Sequence, residues 1–215
     1  MSEEENPRSL RLSALLEEVG IAPLDSVQAR RFVDYISLFV RWNARINLTA
    51  IRDEEGILSR HFVESIACAR ALPAGISTVL DFGSGGGFPG IPIALCRPEI
   101  AVTLAESHGK KAAFLQEAVR VLGISTKVHG ERAETLEERF DCVALRAVEK
   151  MPAAVEAASR LVAAGGWLAL MTTGRELARL QAMAGVEFTW LNAIPLPCSD
   201  DRLLALGQRR ISSPA

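Results

Sequence analysis

The stretch that most limits the fold of this chain is Val79-Leu80-Asp81-Phe82-Gly83-Ser84-Gly85-Gly86-Gly87-Phe88-Pro89-Gly90, a β-branched and apolar run that breaks into glycines and is followed by a proline. Read locally, it is a strand, a turn that only glycine accommodates, and the first turn of a helix started at Pro89. Glycines let backbone approach a ligand closely, and the helix behind them offers unpaired N–H groups. In an open α/β sheet such a loop lies at the carboxyl edge of its strand, where ligands bind.

The segments downstream support that frame. Short apolar runs at Ser77–Asp81, Ala101–Glu106, Ser125–His129, Asp141–Leu145, Trp167–Thr172, Glu187–Ala193 and Leu203–Leu206 read as strands. Helical periodicity separates them at Pro89–Cys96, Lys110–Leu122, Met151–Ala163 and Glu176–Ala184. Strands alternating with helices predict a seven-stranded, mostly parallel sheet covered on both faces. The last two strands have no helix between them, which predicts an antiparallel final strand. Ahead of this pattern, Ser9–Ala71 repeats apolar residues at helical spacing and is expected to form three helices. The expected organisation is a helical extension over 1–75, a ligand-binding α/β domain over 76–210, and a disordered tail over 211–215.

At 215 residues, with 49% hydrophobic content, the chain suits one domain plus an extension. Its apolar runs are too short and too interrupted to span a membrane, and its acidic, polar start is unlike a secretory or transit signal. Cys68, Cys96, Cys142 and Cys198 are scattered, without metal-ligand spacing, as are His61, His108 and His129. A cytoplasmic chain without a metal is the expectation. A formal charge of −2 argues against indiscriminate coating of nucleic acid and leaves room for a focused basic patch. No exposed apolar stripe stands out, so a monomer is expected.

Two details distinguish the ligand. A dinucleotide fingerprint wants Gly or Ala at position 88, where this chain has Phe88, and Asp81 ahead of the loop would repel a pyrophosphate. That acid could instead pair with an ammonium, which S-adenosylmethionine carries. Glu106, at the end of the second strand, is placed to accept from ribose hydroxyls. After the third strand, Ala133 could leave room for adenine and Glu134 could accept from its amino group.

These residues resemble the bacterial 16S ribosomal RNA guanine-N7 methyltransferases known as RsmG, formerly GidB. The resemblance runs through Trp42-Asn43, Ile46-Asn47-Leu48-Thr49, Arg52, His61, Ser65, the loop Asp81–Pro92, Ser107, Lys110-Lys111, Phe114-Leu115, Arg132–Glu134 and Arg146-Ala147. Gly87-Phe88-Pro89-Gly90-Ile91-Pro92 is its most specific part. It implies a Rossmann-like class I methyltransferase fold and S-adenosylmethionine contacts at Gly83, Phe88, Ala133, Glu134 and Arg146, to which the glycine-loop reading adds Gly85 and the strand-end reading Glu106. It also implies a cytoplasmic enzyme acting on 16S rRNA of the small ribosomal subunit. Two departures stand out: Glu64 where the family usually has Asp, and Met171-Thr172-Thr173-Gly174 where a Lys-Gly commonly follows the fifth strand.

Guanine N7 offers an in-plane lone pair and has no proton to lose, so methyl transfer to it asks for in-line positioning and no catalytic base. In agreement, Asp141–Ala147 lacks the (Asp/Asn)-Pro-Pro-(Tyr/Phe) signature of exocyclic-amine methylation, and Cys142 lies inside its strand. Arg146, the catalytic nominee, has two open jobs: holding the cofactor carboxylate or donating to guanine O6. Its structural alternative is an ion pair with Glu149. Arg41, Arg45, Arg52 and Arg60, with Lys110, Lys111, Arg209 and Arg210, are phosphate-contact nominees. Trp42 could stack a base, but its helical spacing with Leu38 and Phe39 favours core packing. The competing functions are methylation of a small molecule and non-catalytic RNA binding; an NAD oxidoreductase ranks third.

Overall fold

The computed structural model describes residues 6–211. The proposed tail therefore lies outside the described residues except for Ile211, which is exposed.

Helix α1 (Pro7–Glu18) starts where Asn6 accepts the Arg8 amide and Pro7 takes the first helical position. A reciprocal capping box between Asp25 and Gln28 opens α2 (Ser26–Ile46), and Asn47 closes it in the left-handed conformation. The third expected helix is a composite: α3 (Glu54–Ile57), a π-helical turn Leu58–Val63, and α4 (Glu64–Ala71). The wider turn presents Arg60 and His61 toward the sheet, a placement that periodicity alone does not specify.

Strands β1 (Thr78–Phe82), β2 (Ala101–Ala105), β3 (Lys127–His129), β4 (Phe140–Arg146) and β5 (Val162–Thr173) pair in parallel. Between them run α5 (Gly90–Cys96), α6 (Gly109–Leu122) and α7 (Met151–Leu161), while α8 (Gly174–Ala184) leads to β6 (Phe188–Trp190). The order is β3-β2-β1-β4-β5-β8-β6, with β8 (Arg202–Arg209) inserted antiparallel to both β5 and β6. The two-residue β7 (Ile194–Pro195), not expected from the sequence, pairs with β8.

Alternation along the strands divides the core into two layers. Val79, Cys142 and Ala169 face the helices α1–α6, while Leu80, Val143 and Leu168 face α7 and α8. Helices α1, α2 and α4 thus share one apolar core with the sheet. Trp42 is in that core's margin, edge-on to Phe114 of α6 at 5.7 Å. Burial of each such aromatic is worth about 1.5–3 kcal/mol, which fixes the helical layer over the glycine loop.

Candidate methyl-transfer site

The loop after β1 is bonded to the end of β2: the amides of Gly83 and Ser84 both donate to Ala105 O, at 3.0 and 2.9 Å. Its glycines divide by role. Gly83 and Gly85 have φ of +74° and +55°, and a Cβ at Gly85 would meet almost nothing. Gly86 is a packing glycine, since a Cβ there would lie 2.6 Å from the Phe39 ring, and Gly87, with φ of +88°, is required on both grounds, a Cβ there lying 2.7 Å from the Tyr35 hydroxyl. Tyr35 donates that hydroxyl to Gly86 O at 2.5 Å, tying α2 to the loop.

A cavity of about 680 Å³ opens at the carboxyl ends of β1, β2 and β4, and Gly83, Gly85, Phe88, Glu106, Ala133, Glu134 and Arg146 all line it. The structure thus brings every nominated site residue to one place. Glu106 is 8% exposed, its Oε2 accepting from Gly85 N at 2.9 Å and its Oε1 from His108 N at 2.7 Å. A carboxylate has about four acceptor positions, so two remain for a ligand. Ala133 is buried in the wall and Glu134 exposed at the start of the short 3₁₀ turn Ala133–Thr135.

Phe88 is only 5% exposed. Its ring packs among Phe39, Phe62 and Tyr35, with centroids 5.1 to 5.3 Å away, and stacks on His61 at 5.1 Å. Asp81 departs from the reading of an acid facing an ammonium. It is fully buried beneath the loop, outside the cavity wall, where its Oδ2 accepts the Gly90 amide at 3.0 Å. Burial pushes its carboxyl up to about 7.

Arg146 is not partnered by Glu149. Its Nη1 donates to His61 Nδ1 at 2.9 Å and its Nη2 to Arg60 O at 2.6 Å, with Glu64 Oε2 3.6 Å away. Its Nε is buried with no partner, and its guanidinium lies 5.9 Å from the Phe88 centroid. Burial lowers it to about 10. Glu64, fully buried, also receives Arg202 at 2.5 Å and Arg60 at 3.4 Å. The sequence reading missed this hub and the His61 contact. Glu64 and His61 were marked there by the resemblance alone, and the π-helical turn that holds His61 and leads into Glu64 leaves no periodicity signal. Histidine 61 is held down to about 3 by burial first and then by the guanidinium of Arg146.

Of the phosphate-contact nominees, Arg41, Arg45, Arg52 and Lys110 are exposed, and Lys111 lines the cavity. Arg60 turns to Glu64, and Arg209 donates to Val162 O at 2.7 Å. Among the described residues no helix is long and apolar enough to cross a membrane, and no group of three or more His, Cys, Asp or Glu is placed to hold a metal.

A parallel sheet with an antiparallel strand next to its last, a glycine loop after β1 and an acid after β2 define a Rossmann-like methyltransferase fold. Solved structures agree: a methyltransferase from Pyrococcus furiosus superposes with a TM-score of 0.61 over 85% of this chain and all of that one, at 14% identity. A predicted O-methyltransferase from Agrobacterium tumefaciens gives 0.57 over 70% and 84%, at 18% identity. More particularly, residues 28–190 match the family described as GidB, rRNA small subunit methyltransferase G, and the chain belongs to that family. It is 40% identical over 172 residues to the ribosomal RNA small subunit methyltransferase G of Stenotrophomonas maltophilia strain K279a, covering 78% of this chain and 80% of that one. With the protein of that name from Roseiflexus sp. strain RS-1 it is 44% identical over 140 residues, 62% of this chain and 60% of the relative's length. Family and fold imply a cofactor of the S-adenosylmethionine type.

Proposed function

We propose that this chain is a cytoplasmic enzyme that transfers the methyl group of S-adenosylmethionine to N7 of a guanine in 16S rRNA of the small ribosomal subunit. The observation that carries the reading is the convergence of Gly83, Gly85, Glu106 and Arg146 on one cavity whose size lies within the usual range for small-molecule sites. The residues fit the cofactor: the glycine loop allows close backbone approach, Glu106 keeps acceptor positions for ribose hydroxyls, and buried Ala133 makes room for an adenine that Glu134 can bond. S-adenosylmethionine supplies an electrophilic methyl on a sulfonium.

The chain's own contribution is positioning. Arg146 presents donors to an oxygen of the occupants, the cofactor carboxylate or guanine O6. No side chain has to accept a proton, which accords with an imidazole, His61, that is neutral at working pH. Arg41 and Arg45 of α2 and Lys110 of α6, exposed on two helices that pack against each other, are the residues proposed to hold the RNA backbone.

The test is transfer of labelled methyl from S-adenosylmethionine to 16S rRNA, naked and in small subunits, followed by nucleoside analysis. Appearance of 7-methylguanosine is expected. Cofactor binding with neither RNA labelled would overturn the reading in favour of a small-molecule or non-catalytic role.

A further inference from the structure

Three contacts converge on His61. Its Nδ1 lies 2.9 Å from Arg146 Nη1, its Nε2 lies 2.8 Å from Thr49 Oγ1, and its ring stacks on Phe88 at 20°. Arginine has N–H groups and no acceptor, so Nδ1 must accept. The one proton of a neutral imidazole then sits on Nε2 and is donated to Thr49. Thr49 is itself pinned: its amide donates to Asn43 Oδ1 at 2.9 Å, and its Oγ1 accepts the Ile51 amide at 3.2 Å. Thr49, His61 and Arg146 all line the cavity.

We infer that His61 is a positioning residue for methyl transfer, a neutral ring protonated on Nε2 that sets the orientation of Arg146, with its tautomer fixed by the Arg146 donor and its Nε2 proton received by Thr49. The loop between α2 and α3 thereby reaches the reacting centre through two hydrogen bonds. The opposite tautomer, or an imidazolium, would set N–H against N–H at Arg146. The charged groups facing the ring, Arg146, Arg202 and Arg60, all disfavour the imidazolium, and burial adds to them. Phe88 in turn joins the ring to the glycine loop, so cofactor loop and arginine share one support. The inference rests on the proposed role of Arg146.

Nitrogen-15 NMR of histidine-labelled protein tests the tautomer without any turnover. His61 is expected to be neutral with its proton on Nε2 from pH 5 to 8, and that preference should weaken in Arg146→Met, which removes the donor facing Nδ1. A wild-type ring protonated on Nδ1, or on both nitrogens, overturns the inference. In turnover, His61→Phe keeps an aromatic face for Phe88 and removes the acceptor; a loss of about 10²-fold in kcat is expected, with a smaller change in KM for the RNA. His61→Gln, which has both an acceptor and a donor, should recover most of that loss, as a merely space-filling role would not allow. Full kcat in His61→Phe together with an inactive Arg146→Lys sinks the inference and spares the Arg146 reading. Full activity in both removes the Arg146 role itself. Should His61→Phe not fold, the wild-type tautomer decides.

Discussion

The carboxylate of Glu106 accepts the amide of Gly85 at 2.9 Å, so the acid at the end of β2 also holds the glycine loop at the end of β1. With its other oxygen on His108 N, it supports both the floor of the cavity and the entry to α6. A structural duty and the proposed ligand-binding one therefore fall on the same side chain, and a variant must separate them.

Glu106→Gln retains one acceptor oxygen and places a donor where the second was, against a backbone N–H. Affinity for S-adenosylmethionine is expected to fall at least tenfold by calorimetric titration, since losing a hydrogen bond to a charged group costs about 1.5–3 kcal/mol. Unchanged affinity in the folded variant would show that Glu106 serves the loop alone.

The two classes of glycine predict opposite outcomes. Gly86→Ala forces a methyl to 2.6 Å from the Phe39 ring and should cost about 1–3 kcal/mol of stability, read by denaturant titration. At Gly85→Ala the space is open and only the positive φ is strained, at about 1–2 kcal/mol, so cofactor affinity should suffer more than the fold. Equal affinity losses in two folded variants would contradict the division.

Asp81 makes stability depend on pH. Its folded pKa, about 7, lies above the unfolded value, so the native state keeps a proton that the unfolded chain releases. Its contribution is fully present below the unfolded value, near pH 4, and is lost as pH rises through 7. Asp81→Asn can still accept the Gly90 amide and has no charge to bury. Its melting temperature should exceed that of the wild type by more at pH 8 than at pH 5; a pH-independent difference refutes the argument.

Glu64→Leu leaves Arg146 and Arg202 without their shared carboxylate, and Glu64 is wholly buried. Removing one partner of a buried ion pair costs about 3–5 kcal/mol. The equilibrium unfolding midpoint should fall accordingly, and a stability near wild type would mean that water reaches the cluster.

What the sequence by itself determined is the part governed by short-range pattern. Short apolar runs and helical spacing marked the strands and helices, glycines marked the turn, and a parallel sheet necessarily brings strand ends such as Phe82, Glu106 and Arg146 to one edge. Even the antiparallel sense of the final strand was legible, because no helix separates it from its neighbour, but its insertion between β5 and β6 was not. Tertiary structure alone decided which way side chains at those ends turn and whom they meet. Asp81 lies just before the glycines yet points inward, because alternation along β1 puts it on the face that α5 covers. Arg146 bonds a histidine 85 residues away and shares Glu64 with Arg202, while Glu149, only three positions on, stays exposed. A chain with 24 basic and 26 acidic side chains offers many possible pairings. Which of them forms is set by where packing of the N-terminal helices excludes water, since burial makes an unpaired charge costly enough to select its partner.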